Sequence, residues 1–219
     1  MNERERVSQH AREFFDGLWS KGDPWDIEGA ELTRRAHERM IALLDGRRYR
    51  RVLEIGCGAG VFTRRLSIIA DTVVALDIAP AAIERGRALN AATAVEFRVA
   101  NVMEYDPHAD GPWDLVVMAE MIYFLGWLYP FFDIAWLASQ LFSATAAGGR
   151  LLLANTICGM EHPLLLPWVI RTYHDLFRNV GYETESEETL WGVKDGVDLE
   201  LLISRFVKPA SETPGDPRV

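Results

Sequence analysis

Cysteine is scarce in this chain: Cys57 and Cys158 are the only two in 219 residues, and neither lies in a CxxC or Cys/His cluster. That usage excludes a thiolate metal centre, and no metal site is expected. It points to reduced thiols in a cytoplasmic protein, a chance pairing of the two being the alternative. A basic surplus is lacking too. The formal charge of −9 leaves no positive stripe, so neither nucleic acid nor an anionic membrane is an expected partner. Met1 to Val7 holds no apolar run, so no secretory signal is expected. Repeats are missing as well, and no composition shift marks a second domain.

Long apolar runs are few. Met121 to Phe142 has a length that suits a bilayer, but Pro130, Asp133 and Gln140 interrupt it and no basic flank follows. A buried helix with an exposed aromatic face is the better reading. Seven aromatics between 123 and 136 (Tyr123, Phe124, Trp127, Tyr129, Phe131, Phe132, Trp136) exceed what one helix needs for its core. They predict a pocket wall or a self-association surface, and with it a homodimer. Leu164 to Trp168 could extend the same patch.

What is present is alternation. Residues 2–20 and 27–45 carry helical periodicity around the turn-forming stretch Lys21 to Asp26. Strands are expected near 51–55, 73–77, 95–99, 113–119 and 150–155, and helices near 60–70, 80–91, 127–146 and 163–180. Gly148-Gly149 is read as the stop of the long helix. Residues 182–206 alternate in strand fashion with no helix between, as an antiparallel hairpin does. The expected fold is α/β: a Rossmann-like, mainly parallel seven-stranded sheet ending in that hairpin, with helices on both faces. Residues 1–207 form one domain in this reading, 1–45 being an N-terminal helical lid, and 208–219 a disordered tail.

The most informative stretch is Arg51-Val-Leu-Glu-Ile-Gly-Cys-Gly-Ala-Gly60. A buried strand meets Gly56, Gly58 and Gly60, and an amphipathic helix follows. Such a loop lets a ligand approach bare backbone at a helix N-terminus. A dinucleotide fingerprint is G-x-G-x-x-G; here the third glycine falls one residue early. Asp77 ends the next strand 21 residues after Gly56, where a carboxylate can accept both ribose hydroxyls. Glu54, unusual inside a buried strand, bonds donors near the loop or serves structure alone.

Val52 to Gly60 together with Leu76-Asp77-Ile78 resembles motifs I and II of class I S-adenosylmethionine-dependent methyltransferases. The resemblance implies S-adenosylmethionine as cofactor. Gly56, Gly58 and Gly60 would line its methionine part and ribose, Asp77 the ribose hydroxyls, and Ile78 the adenine face. The family's aspartate after the third strand is replaced by Asn101, whose amide oxygen can still accept a bond from the adenine amino group. Val102 would offer its backbone N–H. Asp23-Pro-Trp25, Glu31 to Met40, Phe62-Thr63 and Trp113 to Leu125 resemble the NodS-type nodulation N-methyltransferases and amino-sugar N-methyltransferases of antibiotic pathways. That similarity implies methyl transfer to the amine of a sugar or sugar-containing small molecule, with hydroxyl methylation as the alternative. A nicotinamide-dependent oxidoreductase is opposed by the shifted glycine and the absence of a Tyr-x-x-x-Lys pair. A cofactor-binding protein without catalysis is the remaining class.

Ligands of open parallel sheets lie beyond the C-terminal strand ends. Ala119 and Glu120 leave the fourth strand there, and Asn155 to His162 the fifth. An amine cationic at neutral pH must lose a proton before attack, so Glu120 and His162 are candidate bases, with Glu120 alternatively touching the cofactor or a helix end. Tyr123 could orient the amine or shield a sulfonium, or simply pack. Trp25 could close over the cofactor and Arg35 meet its carboxylate. Arg34 and Arg39 compete for that role, because sequence does not phase this helix.

Overall fold

The protein, as a computed structural model, is described over residues 3–158 and 165–210. Two helices lead, α1 (Glu3–Trp19) and α2 (Glu31–Leu43), before β1 (Tyr49–Ile55). Then follow α3 (Val61–Ile69), β2 (Ala70–Asp77), α4 (Pro80–Leu89), β3 (Val95–Val99) and β4 (Trp113–Ala119). The second half holds α5 (Ile122–Leu128), α6 (Phe131–Ala144), β5 (Thr145–Cys158), α7 (Pro167–Asn179), β6 (Glu183–Lys194) and β7 (Val197–Val207). All seven strands join one sheet in the order β3-β2-β1-β4-β5-β7-β6. β1 to β5 run parallel, and β7 runs against both β5 and β6.

Burial explains the composition of the central strands. Leu53, Ile55, Val116 and Met118 pack on α6 and α7 through Ile134, Leu137, Ile170 and Phe177. On the opposite face Val52, Leu115 and Val117 meet Met40 of α2 and Phe62 and Leu66 of α3. Strands covered on both sides read as continuous apolar runs instead of alternating ones. Register then aligns the strand ends: Ile55 is level with Leu76 and Met118, and Ala119 with Ala154. Gly56, Asp77 and Glu120 therefore emerge along one edge.

Two boundaries differ from expectation. Pro130 has no N–H to give and stands at the N-cap of α6, so the helix expected over 127–146 becomes α5 and α6. Strand β5 starts at Thr145, and Gly148 (φ +71) lies within it instead of stopping a helix. The chain also stays paired past 207. Gly148 N–H donates to the Lys208 carbonyl at 2.9 Å, and Lys208 N–H to Gly149 at 2.8 Å. Lys208 Nζ donates to the carbonyls of Phe142, Ser143 and Thr145 at 2.9, 3.2 and 2.8 Å, a cation at a helix C-terminus. The tail expected from 208 therefore begins later, and 211–219 lie outside the described residues. Among the described residues no helix is long and apolar enough to cross a membrane.

His174, on α7, is buried between β5 and β7, its Nδ1 2.8 Å from Ser204 Oγ and its Nε2 3.0 Å from Asn155 Oδ1. Burial pulls its pKa down to about 3, helped by Arg178 and Arg171. His37 is buried too and lies at about 4, through burial and then Arg65. A base whose folded pKa is depressed binds fewer protons folded than unfolded, so its stabilisation holds above the unfolded value and fades as pH falls. Between pH 7.5 and 5 each histidine should take about 2 kcal/mol from the unfolding free energy, against the opposite contribution of carboxyls with raised pKa, so His174→Gln should lose less stability on acidification than the wild type by about that amount. A His174→Gln variant with the same pH slope as the wild type in this window would refute the assignment.

Candidate active site

The site grows from the end of β1. Gly56 and Cys57 N–H both donate to the Leu76 carbonyl, at 2.8 and 2.9 Å, which turns the loop toward β2. Gly58 has φ +52, and a Cβ there would lie 2.8 Å from Trp19 Cζ2, so α1 rests directly on the loop. Gly60 also has positive φ, but its missing Cβ makes room for Phe97 and Asn90 behind the loop. Gly56 and Gly58 line the cavity, whereas Gly60 starts α3 and does not reach it, contrary to expectation.

Asp77 clamps this turn. Its Oδ2 accepts Gly58 N–H and its Oδ1 accepts Ala79 N–H, both at 2.9 Å. Burial raises its pKa against these bonds, and the carboxylate faces the cavity beside Ile78. Glu54 is buried on the same wall, with Oε2 lacking a hydrogen-bond partner among the described residues. Burial pushes its pKa to about 8; the neighbouring Thr63 hydroxyl opposes this and the Asp77 charge adds to it. The contact with Thr63 stops short of a hydrogen bond, since Thr63 Oγ1 is unpartnered as well. Unfilled bonding capacity on a wall facing a cavity fits a polar cofactor.

At the end of β3, Asn101 and Val102 line the cavity. Asn101 Oδ1 accepts Met103 N–H at 3.0 Å, while its Nδ2 donates to Ser8 Oγ at 3.0 Å and Tyr129 Oη at 2.7 Å. Its amide oxygen, expected to be free for an adenine, thus already holds the local turn and keeps only its second lone pair.

Glu120 sits where β4 ends, beside Ala119, with φ +53. For a non-glycine residue that conformation costs roughly 1–2 kcal/mol and clusters at functional sites. Tyr123 Oη donates to its Oε2 at 3.0 Å and Thr156 Oγ1 to its Oε1 at 3.2 Å. Burial lifts the carboxyl to about pKa 7, countered by Tyr123, Thr156 and the Lys194 cation. It can therefore exchange a proton near neutrality. His162, the other candidate base, lies outside the described residues.

Trp25 faces the cavity, 5.6 Å from Trp19, 5.9 Å from Phe124 and 6.4 Å from Phe15 between ring centres. Arg35 does not: it is exposed, on the far side of α2 from the cavity. Arg34 pairs with Glu31 and Glu38, and Arg39 with Glu188. The helix presents Leu32, Thr33, Ala36, His37 and Met40 instead, an i, i+4 stripe whose phase depends on which face meets the sheet. Lys194 and Asp195, at the β6–β7 tip, complete the wall, and Lys194 Nζ donates to the Trp25 carbonyl. Asp195-Gly196 is a recognisable hairpin turn. Placing its tip at the site required knowing that β7 runs antiparallel beside β5. The whole encloses a cavity of about 710 Å³, in the range that holds small-molecule ligands. Among the described residues no His/Cys/Asp/Glu group could hold a metal.

The aromatic stretch divides between the two expected uses. Tyr123, Phe124 and Tyr129 face the cavity, while Trp127, Phe131, Phe132 and Trp136 are exposed.

The reversed β7 in this strand order, with a glycine loop clamped by a strand-end acid, defines the Rossmann-like fold of class I S-adenosylmethionine-dependent methyltransferases. N-methyltransferase NodS from Bradyrhizobium japonicum WM9, solved in complex with S-adenosyl-L-homocysteine, shares it: TM-score 0.77 over 91% of this chain and 98% of its own, at 20% identity. The chain belongs to the NodS family, described as Nodulation protein S, which matches residues 10–128. Nodulation protein S of Rhizobium tropici is 31% identical over 138 residues, 61% of this chain and 55% of that protein. The ubiquinone biosynthesis O-methyltransferase of Nitrosococcus oceani is 25% identical over 224 residues, 96% and 87% of the two chains. This chain spans about half the length of the nodulation relatives it matches.

Proposed function

We propose that the chain is an S-adenosylmethionine-dependent methyltransferase acting on the amine of a small molecule, a sugar-containing amine being what the family resemblance implies. The observation that carries this reading is Glu120, held in a left-handed conformation between Tyr123 and Thr156 at the mouth of the cofactor loop. A half-buried carboxylate with a pKa near 7 suits an ammonium acceptor, as anionic partner and as proton acceptor.

S-adenosylmethionine, when bound, supplies a methyl group on a sulfonium. Gly56 and Gly58 would cradle its methionine and ribose, Asp77 accept from the ribose, and Ile78, Asn101, Val102 and Ala119 hold the base and its approach. Trp19 and Trp25, on the N-terminal lid, exclude water. The ammonium proton passes to Glu120, which frees the nitrogen lone pair to bond to the methyl carbon; the C–S electrons would remain on sulfur as a thioether, and the positive charge would leave on the methylated nitrogen. Tyr123 and Thr156 keep that carboxylate aimed. Alignment and water exclusion supply most of the acceleration.

Incubating the protein and cofactor with amines and their matched alcohols should add one or two methyl masses to amines. Transfer confined to alcohols would favour O-methylation instead, and nicotinamide binding without S-adenosylmethionine binding would favour an oxidoreductase. The buried free thiol Cys57 suits a cytoplasmic location. Exposed Trp127, Phe131, Phe132 and Trp136 suit self-association; sedimentation giving only monomer at high concentration would dismiss it.

A further inference from the structure

The cavity runs across the sheet, and its two halves differ in chemistry. One half lies over β1 to β3 and holds the cofactor loop, Asp77 and Asn101. The other lies over β5 and β7. Strand spacing of about 4.8 Å separates β1 from β7 by three steps, roughly 14 Å, which is room for a second small molecule. Glu120, at the end of β4, stands on the boundary.

The far half is closed by α2 and β7. Leu32, Ala36 and Met40 come from the helix, and Val197, Leu199 and Leu201 from alternate positions of the strand. Leu32, Ala36, Leu199 and Leu201 form one apolar cluster. The hairpin sits close on the helix: a Cβ on Gly192 would collide with Leu32 Cδ1. Several polar groups near this half are already engaged with other protein groups, and Thr33 and Asp195 line the cavity beside them. Thr156 and Tyr123 donate to Glu120, Lys194 donates to the Trp25 carbonyl, and His37 packs on Phe62 at 4.8 Å between ring centres. A ring bearing several hydroxyls would bury most of them against these aliphatic walls without partners, at roughly 1–3 kcal/mol each.

We propose that the acceptor carries its amine on an apolar body, hydrocarbon or aromatic, which fills the half-chamber between α2 and β7, and that a bare sugar ring is refused there. The amine rests on the function proposed above, whereas the apolar body rests on these walls alone. A sugar-containing acceptor would enter by its apolar part.

A four-compound comparison separates the two. Binding of 2-phenylethylamine, 2-phenylethanol, glucosamine and glucose is measured by calorimetry on the full chain saturated with S-adenosyl-L-homocysteine, and transfer is followed with labelled cofactor. 2-Phenylethylamine should bind at least about tenfold tighter than glucosamine, and 2-phenylethanol tighter than glucose. Equal or tighter binding of glucosamine overturns the proposal, as does failure of both aromatic compounds to bind at about 1 mM. Methylation of 2-phenylethanol but not 2-phenylethylamine would sink the amine reading and leave the apolar body standing. Ala36→Leu, which fills the chamber, and Leu201→Gln, which makes its wall polar, should each weaken 2-phenylethylamine by about fivefold or more at unchanged cofactor-product affinity. Wild-type affinity in both variants, folded by melting temperature, would move the body elsewhere and overturn the assignment.

Discussion

Glu120→Gln should lower kcat/KM for an amine acceptor by roughly 10²- to 10³-fold while leaving S-adenosyl-L-homocysteine affinity within about twofold. The carboxylate does two things the amide cannot: it balances an ammonium and takes its proton. Its raised pKa of about 7 sets the pH dependence. Below that value Glu120 is protonated and the site is silent; above it the carboxylate is present and the rate rises. The wild type should therefore show an inflection near pH 7 that Glu120→Gln lacks. Glu120→Gly tests the backbone separately. Glycine tolerates φ +53, so the variant should lose turnover yet gain about 1 kcal/mol of stability. Retained turnover in either variant would remove Glu120 from the chemistry. A stability loss in the glycine variant would mean that its bonds to Tyr123 and Thr156 outweigh the strain.

Gly58→Ala should weaken binding of S-adenosyl-L-homocysteine by about 10- to 100-fold, through roughly 1–2 kcal/mol of left-handed strain plus displacement of Trp19. The new methyl would start 2.8 Å from the indole, so either the loop or α1 must shift. A loop shift breaks the Gly58 N–H bond to Asp77; a shift of α1 opens the aromatic wall around Trp25. Trp19→Ala in the Gly58→Ala background relieves the clash but not the strain, and should restore part of the affinity. Calorimetric affinity equal to wild type in Gly58→Ala would show that the loop does not meet the cofactor.

The cofactor side was largely legible in the chain because its signals are local. Glycines at 56 and 58, the strand before them and the acid at 77 are read within the 27 residues from Arg51 to Asp77, which fold as one β-α-β unit. Gly60 was legible as loop but not as packing, since its neighbours Asn90 and Phe97 come from farther along. Asn101 followed the same pattern: its place after β3 was readable, its bonds to Ser8 and Tyr129 were not.

The sequence by itself determined the fold class, the cofactor loop and the position of Glu120 after the fourth strand, because hydrophobic period and turn chemistry act over short separations. Only the tertiary structure decided that α2 turns Leu32, Ala36 and His37 inward and Arg35 outward, and that Trp19, not Trp25, lies on Gly58. It also decided that Lys194 and the β7 leucines close the far half of the cavity. Those outcomes depend on helix phase and on the insertion of β7 between β5 and β6. The first is set by burial of Leu32 and Ala36 against Leu199 and Leu201, more than a hundred positions away, and the second by pairing with β5 across more than forty, which no local pattern encodes.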